Sequence, residues 1–252
     1  MAELAALIFD VDGTLAETEE LHRWAFNSAF AAAGLGWHWD RAMYAKLLAV
    51  TGGKERIAHF IQLTGESAGL DTTAIAALHA AKTRLYASRV VPGGLALRPG
   101  VLRLMHQARR NGVKLAIATT TSQPNVAALL AACAPMPPMD VIAAGDDVPA
   151  KKPAPDIYTL ALQRLGLPAR NCVALEDTQN GLRSAAGAGL RCVVTLSAYG
   201  GAGPFPGAGA VLSDLGEPNA PCTVLAGPVP PAGVADLAYL DALPPSGACC
   251  VQ

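Results

Sequence analysis

The stretch Leu7-Ile8-Phe9-Asp10-Val11-Asp12-Gly13-Thr14 constrains this chain more than any other. The apolar run from Leu4 to Phe9 has the length and continuity of a strand buried on both faces, and it stops at two carboxylates one residue apart. Were the strand to continue, its two-residue period would aim Asp10 and Asp12 to one side, and Gly13 lets the chain turn sharply beyond them. Two neighbouring carboxylates at the mouth of an apolar strand repel each other and resist desolvation. A cation or a shared proton has to compensate them, so the pair marks a site.

The rest of the chain supplies a sheet for such a strand. From Arg98 onward helix and strand alternate. Pro99 opens a helix that Gly112 can end, Val113 to Ala118 reads as a strand, Ser122 to Ala132 as a helix, and Val141 to Ala143 as a short strand. A helix follows from Pro155 to Gly166, a strand from Cys172 to Leu175, a helix from Thr178 to Ala188, and a strand from Cys192 to Leu196. This alternation predicts an α/β fold: a doubly wound parallel sheet with helices on both faces.

Between the first strand and this block lies a different pattern. Thr18 can cap a helix whose first turn carries Glu19 and Glu20, with Leu21, Trp24, Ala25, Ala29 and Ala32 at helical spacing. Helical segments follow near Arg41 to Leu48, Lys54 to Leu63 and Asp71 to Ala87, and Trp24, Trp37 and Trp39 are assigned to the core of this unit. The division expected is residues 1–15 and 98–225 as a core domain and 16–97 as an inserted helical cap. Crossings fall near Glu17 and at Val91-Pro92-Gly93-Gly94. Beyond Tyr199 the chain is rich in Gly and Pro; only Ala210 to Leu212 reads as an element, and the order of 226–252 is left open.

Composition narrows the functional classes. At 52% hydrophobic and 15% charged, the chain can bury a sizeable core. With 19 basic and 20 acidic residues it carries no basic footprint for nucleic acid or an anionic membrane, and no obligate protein partner is inferred. No apolar run reaches the roughly 18 residues of a membrane span. The first strand starts too early to leave room for a signal peptide, so a soluble protein of a bacterial cytoplasm, or of a plastid stroma after removal of a transit peptide, is expected. The six cysteines lack Cys-x-x-Cys spacing and read as reduced small hydrophobes, with the tail pair Cys249-Cys250 given no specific role.

In open parallel sheets ligands lie beyond the carboxyl ends of the strands. Taking the residues past each apolar run brings together Asp10 and Asp12, Thr119-Thr120-Thr121-Ser122, Lys152, and Glu176-Asp177. Carboxylate oxygens in this number suit Mg²⁺, and hydroxyls, amides and a lysine suit phosphate oxygens.

These four segments, in this order, resemble the motifs of the haloacid dehalogenase superfamily of phosphohydrolases. A narrower likeness rests on Thr18-Glu19-Glu20-Leu21-His22, Thr51-Gly52-Gly53-Lys54-Glu55-Arg56, Leu97-Arg98-Pro99-Gly100-Val101, Ala118-Thr119-Thr120-Thr121-Ser122 and Lys151-Lys152-Pro153-Ala154-Pro155-Asp156, which look like the CbbY-type branch. That branch includes phosphatases of xylulose-1,5-bisphosphate, a misfire product that inhibits Rubisco. The resemblance implies that Asp10 attacks phosphorus to give an aspartyl-phosphate, while Asp12 acts as general acid and then base. It implies Mg²⁺ held by the Asp10 carboxylate, the Asp12 backbone carbonyl and the Glu176/Asp177 pair, and phosphate bound by Thr119, the Thr120 amide and Lys152. The helical unit would be a cap, with Glu17, Tyr44, Gly52, Gly53, Lys54, His79, Lys82, Thr121 and Ser122 reading a sugar bisphosphate.

Plainer roles compete at several positions. Glu176-Asp177 could cap a helix, and Ser122 is expected to cap the helix after it. Lys151 and Lys152 could be a solvated pair, with only the following Pro153 distinguishing the second. Lys54 and Arg56 could equally open an exposed helix, His79 and Lys82 share a helix face that is surface or ligand, and His22 reads as a packed histidine. The rival functions are a β-phosphoglucomutase-type mutase, from which Thr14 and Glu17 lean away by resemblance, a broader sugar-phosphate or phosphoglycolate phosphatase, and a non-catalytic sugar-phosphate sensor.

Overall fold

The computed structural model describes residues 4–66, 68–91, 93–133, 135–201 and 203–244; Pro92 of the return crossing and the Cys249-Cys250 pair lie outside them. Seven strands form one sheet: β1 (Ala6–Phe9), β2 (Lys114–Ala118), β3 (Val141–Ala143), β4 (Cys172–Glu176), β5 (Arg191–Thr195), β6 (Ala210–Leu212) and β7 (Val224–Ala226). Their order is β3-β2-β1-β4-β5-β6-β7, with every pairing parallel except β6–β7. The first strand is central, and Phe9 sits in register with Ile117 and Leu175, so Asp10, the Thr119 segment and Glu176 emerge at one rim. Both faces of β1 are buried. Leu7 and Phe9 pack with Leu104, Leu115 and Leu129; Ala6 and Ile8 pack with Ile157, Tyr158 and Leu182. Each large side chain so buried contributes roughly 1.5–3 kcal/mol, which fixes the strand's register and hence the position of the acids at its end.

Four helices lie between β1 and β2: α1 (Glu19–Ala32), α2 (Arg41–Leu47), α3 (Gly53–Thr64) and α4 (Thr72–Arg89). They enclose a separate apolar cluster of Phe26, Phe30, Trp37, Trp39, Tyr44, Leu47, Ile57, Phe60 and Leu78. Trp39 is at its centre, with ring centroids 4.7 Å from Phe26, 4.8 Å from Phe30 and 5.5 Å from Phe60. Of the stripe predicted on α1, Ala25 and Ala29 are buried but Leu21, Trp24 and Ala32 are not, and His22, Phe26 and Phe30 complete the buried face. Aromatic bulk decides the rotation: the two phenylalanines bury far more area than Ala32 could. Trp24 accordingly lies outside the cluster, under the Arg89 guanidinium at 4.7 Å. Thr18 precedes α1 but makes no side-chain cap, because its hydroxyl is donated to Asp12. Asp40 and Asp71 do cap α2 and α4, accepting from Met43 N and Ala74 N.

The sheet is flanked by α5 (Val101–Arg110), α6 (Gln123–Ala132), α7 (Asp156–Leu165) and α8 (Gln179–Gly187). At the return crossing Arg98 donates its backbone N–H to Leu15 O at 2.8 Å. Its buried guanidinium donates to the carbonyls of Gly13, Thr195, Leu196 and Ser213, tying the crossing to the loop that carries Asp10 and Asp12. The segment beyond Tyr199 holds more structure than its composition indicates. Besides β6 it forms β7 and a short helix, α9 (Leu237–Asp241), and buries Ala235, Leu240 and Leu243 in the same cluster as Leu7. Two arginines hold it: Arg103 donates to the carbonyls of Leu215, Gly216 and Ala235, and Arg191 donates to that of Asp241. Cys133, Cys172, Cys192 and Cys222 are free and buried, and burial pushes the Cys172 thiol up to about 11, away from reactive thiolate.

Candidate active site

At the rim, Lys152 is the buried hub. Its ammonium donates to Asp10 Oδ1 and to Glu176 Oε1, each at 2.6 Å, and to the Ala118 carbonyl at 2.9 Å. Lys151 turns away to the carbonyls of Gly145 and Val148, so of the two lysines it is Lys152 that faces the acids. Burial alone would lower the Lys152 ammonium, but Asp10 and Glu176 hold it above the ordinary lysine value. Glu176 also accepts from the Tyr158 hydroxyl at 2.6 Å, and Asp177 accepts from the Ser197 hydroxyl at 2.6 Å. Gly13 is required beside them: its φ is +80°, and a Cβ there would lie 2.2 Å from Asp177 Oδ2.

Asp12 is in different surroundings. Its Oδ1 accepts from the Thr18 hydroxyl at 2.5 Å and faces His22 Nε2 at 2.8 Å, while Oδ2 accepts from the Thr121 hydroxyl at 2.5 Å. Burial opposes ionisation, yet His22 and the two hydroxyls outweigh it and hold this carboxyl well below the usual range. Asp10 goes the other way. Burial pushes it up to about 7, with Lys152 pulling down and Glu176 pushing up. His22 was read from the sequence as a packed histidine. It is buried and stacked on Tyr86 at 4.2 Å, but both ring nitrogens are engaged, Nδ1 lying 2.5 Å from Lys82 Nζ. The 3.6-residue period could place His22 on the inner face; only the tertiary fold brings Asp12 to it.

A cavity of about 540 Å³ opens between rim and helical unit, within the range of small-molecule sites. Its walls include Asp10, Asp12, Thr119, Thr120, Thr121, Ser122, Lys152, Glu176 and Asp177 from the rim, and Gly52, Gly53, Lys54, His79 and Lys82 from the helices. Lys82 is buried at this wall, with its ammonium 2.5 Å from His22 Nδ1. Ser122 precedes α6 without a side-chain capping bond; its hydroxyl is buried and unpartnered, as is the carbonyl oxygen of Asn125, which also lines the cavity. Two expected residues are not in the walls. Glu17 is exposed, with its carboxylate 3.3 Å from Arg98 Nε and from the Ala198 N–H. Tyr44 is fully buried in the aromatic cluster and donates its hydroxyl to Glu19 Oε2 at 2.6 Å. Glu19 itself lines the cavity, a position the sequence reading passed over as a helix-dipole residue.

Asp10, Glu176 and Asp177 each offer an oxygen within 4.8 Å of one another. Three buried carboxylates face one lysine, and burial, reinforced by Asp10 and Glu176, drives Asp177 well above the ordinary range. Such a donor set lacks positive charge and consists of hard oxygens, so it fits a divalent cation of the Mg²⁺ type. The Asp12 carboxylate, committed to Thr18, His22 and Thr121, is not part of this group.

The sequence and the fold resemble those of known proteins. The model of the haloacid dehalogenase-like hydrolases matches residues 4–189. Protein CbbY of Cereibacter sphaeroides is 53% identical over 218 residues, covering 85% of this chain and 94% of that protein. A CBBY-like protein of Arabidopsis thaliana is 40% identical, covering 85% of this chain and 70% of its own length. The crystal structure of a mutant CbbY from Rhodobacter sphaeroides in complex with xylulose-1,5-bisphosphate superposes with a TM-score of 0.80 at 52% identity, over 84% of this chain and 94% of that one. The chain therefore belongs to the haloacid dehalogenase-like hydrolases, in their CbbY branch, and is a phosphatase enzyme of that family.

Proposed function

We propose that the protein dephosphorylates a sugar bisphosphate, foremost xylulose-1,5-bisphosphate, through an aspartyl-phosphate on Asp10. The reading rests above all on one observation: two carboxylates two positions apart are given opposite surroundings. Asp10 sits among acids and Lys152, where an anion can attack phosphorus. Asp12 is turned to His22, Thr18 and Thr121, where proton traffic can be separated from the nucleophile.

In this mechanism Lys152, the Thr119 hydroxyl, the Thr120 amide and the unpartnered Ser122 hydroxyl bind the phosphoryl oxygens. An Asp10 oxygen bonds to phosphorus as the bond to the sugar oxygen breaks, and the leaving oxygen takes a proton from Asp12. Water then attacks the aspartyl-phosphate, Asp12 takes its proton, and inorganic phosphate departs. Mg²⁺ would be held by the Asp10 carboxylate, the Asp12 backbone carbonyl and the Glu176/Asp177 pair, and when bound it supplies positive charge against the phosphoryl oxygens. Asp10 sheds the proton that burial favours once positive charge lies beside it, and Asp12 gains affinity for one as a phosphate dianion approaches.

The second phosphate would meet the opposite wall, where Gly52, Gly53 and Lys54 open α3 and His79 lies alongside. Residues 16–97 would then act as a cap that closes over the sugar. That the CbbY relative forms a complex with xylulose-1,5-bisphosphate supports this substrate. Such an enzyme would work beside Rubisco, in a plastid stroma or a bacterial cytoplasm, clearing an inhibitor of carbon fixation.

A phosphate-release screen with Mg²⁺ over sugar mono- and bisphosphates tests the reading. Release of one phosphate from xylulose-1,5-bisphosphate in preference to ribulose-1,5-bisphosphate is expected. Conversion of a sugar phosphate to its isomer without free phosphate would make the protein a mutase instead.

A further inference from the structure

Asn180 ties the rim of the sheet to the helical unit along the cavity wall. Its amide nitrogen lies 3.0 Å from the Ala49 carbonyl and 3.1 Å from Thr51 Oγ1. A carbonyl only accepts, so the nitrogen of the amide and not its oxygen faces Ala49, and its two hydrogens serve the two partners. Both ends of this tie are fixed. Asn180 stands in the first turn of α8, where the Thr178 hydroxyl accepts from Gly181 N, and a Cβ on Gly181 would come within 1.8 Å of Glu176 Oε2. Ala49 and Thr51 belong to the turn between α2 and α3. The Arg56 guanidinium, on α3, donates to the carbonyls of Leu47 and Val50 and so holds that turn to its own helix.

The turn leads directly into Gly52, Gly53 and Lys54, the start of α3 assigned above to the second phosphate. On the other side of the tie, Glu176 and Asp177 of the first phosphate site lead directly into α8 and Asn180. One amide therefore spans the two places where a bisphosphate would be held. Bonds such as Tyr199 to Glu20 and His22 to Asp12 also join the two bodies, but they reach α1 instead. Charge-assisted hydrogen bonds depend steeply on geometry, so a ligand that must be met at both ends at once is sensitive to the separation of the two sites.

We infer that Asn180 is a positioning residue that sets the separation of the two phosphate sites and so selects bisphosphates by length, acting through the 49–51 turn and not on the ligand. This rests on the sugar-bisphosphate reading and adds to it a residue that serves specificity from outside the anion sites. Removing the amide leaves Lys152 bonded to Asp10 and Glu176 at the rim. Cleavage of a simple monoester therefore persists, while the fit to two phosphates slackens.

The test is a length series: competitive inhibition constants of butane-1,4-diol, pentane-1,5-diol and hexane-1,6-diol bisphosphates, measured with Mg²⁺ against hydrolysis of p-nitrophenyl phosphate. The unsubstituted protein is expected to prefer one length about tenfold over its neighbours. Asn180→Ala should reduce that preference to about twofold or less, with kcat for p-nitrophenyl phosphate kept within about twofold. A direct contact with the ligand would weaken all three lengths equally and keep the preference. That result, an unchanged series, or a matching loss of kcat on the monoester overturns the inference. Thr51→Val removes one of the two acceptors and should flatten the preference by less, and the double variant should match Asn180→Ala, because the two residues share a bond. Should Asn180→Ala not fold, Thr51→Val decides by the same series: a flattened preference supports the inference and an intact one overturns it. Failure of the sugar-bisphosphate reading is distinguishable and removes the inference with it, since the unsubstituted protein would then show no preferred length.

Discussion

The rim of the sheet and the helical unit above it face the same cavity but are built by different rules. At the rim the polar groups are buried and satisfy one another: Lys152 bonds to Asp10 and Glu176, Tyr158 to Glu176, and Ser197 to Asp177. Strand register sets their positions, so the machinery is preorganised before a ligand arrives. In the helical unit the burial is aromatic, centred on Trp39, and the cavity is faced by the start of α3 at Gly53 and Lys54 and by residues within α1 and α4, among them His22, His79 and Lys82. The comparison teaches that the acids at the rim are positioned by strand register, while the facing wall belongs to a separately packed body. The two meet at Asp12, whose carboxylate is held by Thr18 and by His22 of α1.

Substitutions can break this division. Trp39→Ala removes the centre of the aromatic cluster and should cost about 3–5 kcal/mol of stability by chemical denaturation. If the division holds, the loss appears as early melting of the helical unit while Mg²⁺ still binds the rim; a single cooperative loss of both would contradict it. Lys152→Met leaves Asp10 and Glu176 without their cation and withdraws a phosphate ligand, so kcat should fall about 10²–10³-fold, measured by phosphate release. Lys54→Ala lies on the other side of the comparison. KM for the bisphosphate should rise about tenfold with little change in kcat, and an unchanged KM would exclude the distal-phosphate role.

The smallest effect is a matter of protons. Burial raises Asp10 to about 7 in the metal-free protein, above its ordinary 3.8. The folded state therefore holds a proton across that window that the unfolded chain has lost. The stability from this group is full below about pH 4 and lost as pH rises through 7. Mg²⁺ requires the proton to leave, so its affinity should climb with pH up to about 7, and calorimetry near pH 6 in buffers of differing ionisation enthalpy should register proton release. Binding without proton release at that pH would argue that Asp10 is already ionised.

Much of the rim was legible in the sequence because strands carry position. An apolar run that ends in charge places that charge at a strand end, and parallel strands in register collect such ends. Asp10, Thr119, Glu176 and Asp177 lie where that rule puts them, whereas Lys152, nine residues past the end of β3, was singled out by the following Pro153. The helical unit was legible as a unit but not in its details. Helical periodicity names a face, and on α1 it chose Leu21 and Trp24 where aromatic packing selects Phe26 and Phe30. Thr18 reads locally as a helix cap, and only the partner that the fold brings to it, Asp12, turns its hydroxyl into a donor to that carboxylate. Likewise Tyr44 was expected at the substrate but lies in the aromatic cluster, donating its hydroxyl to Glu19, which lines the cavity. The tail was obscured because its elements are three to five residues long and are held by Arg103 and Arg191, arginines distant in sequence.

The central claim is that Asp10 takes the phosphoryl group while Asp12 handles the proton. Rapid acid quench of the protein with Mg²⁺ and xylulose-1,5-bisphosphate, followed by peptide mass spectrometry, tests it most directly. Transient phosphorylation of Asp10, prolonged in the Asp12→Ala variant supplied with a phosphate ester of a good leaving group, is the result the account predicts. Full turnover by Asp10→Asn, with no phosphorylated peptide in either protein, would contradict it.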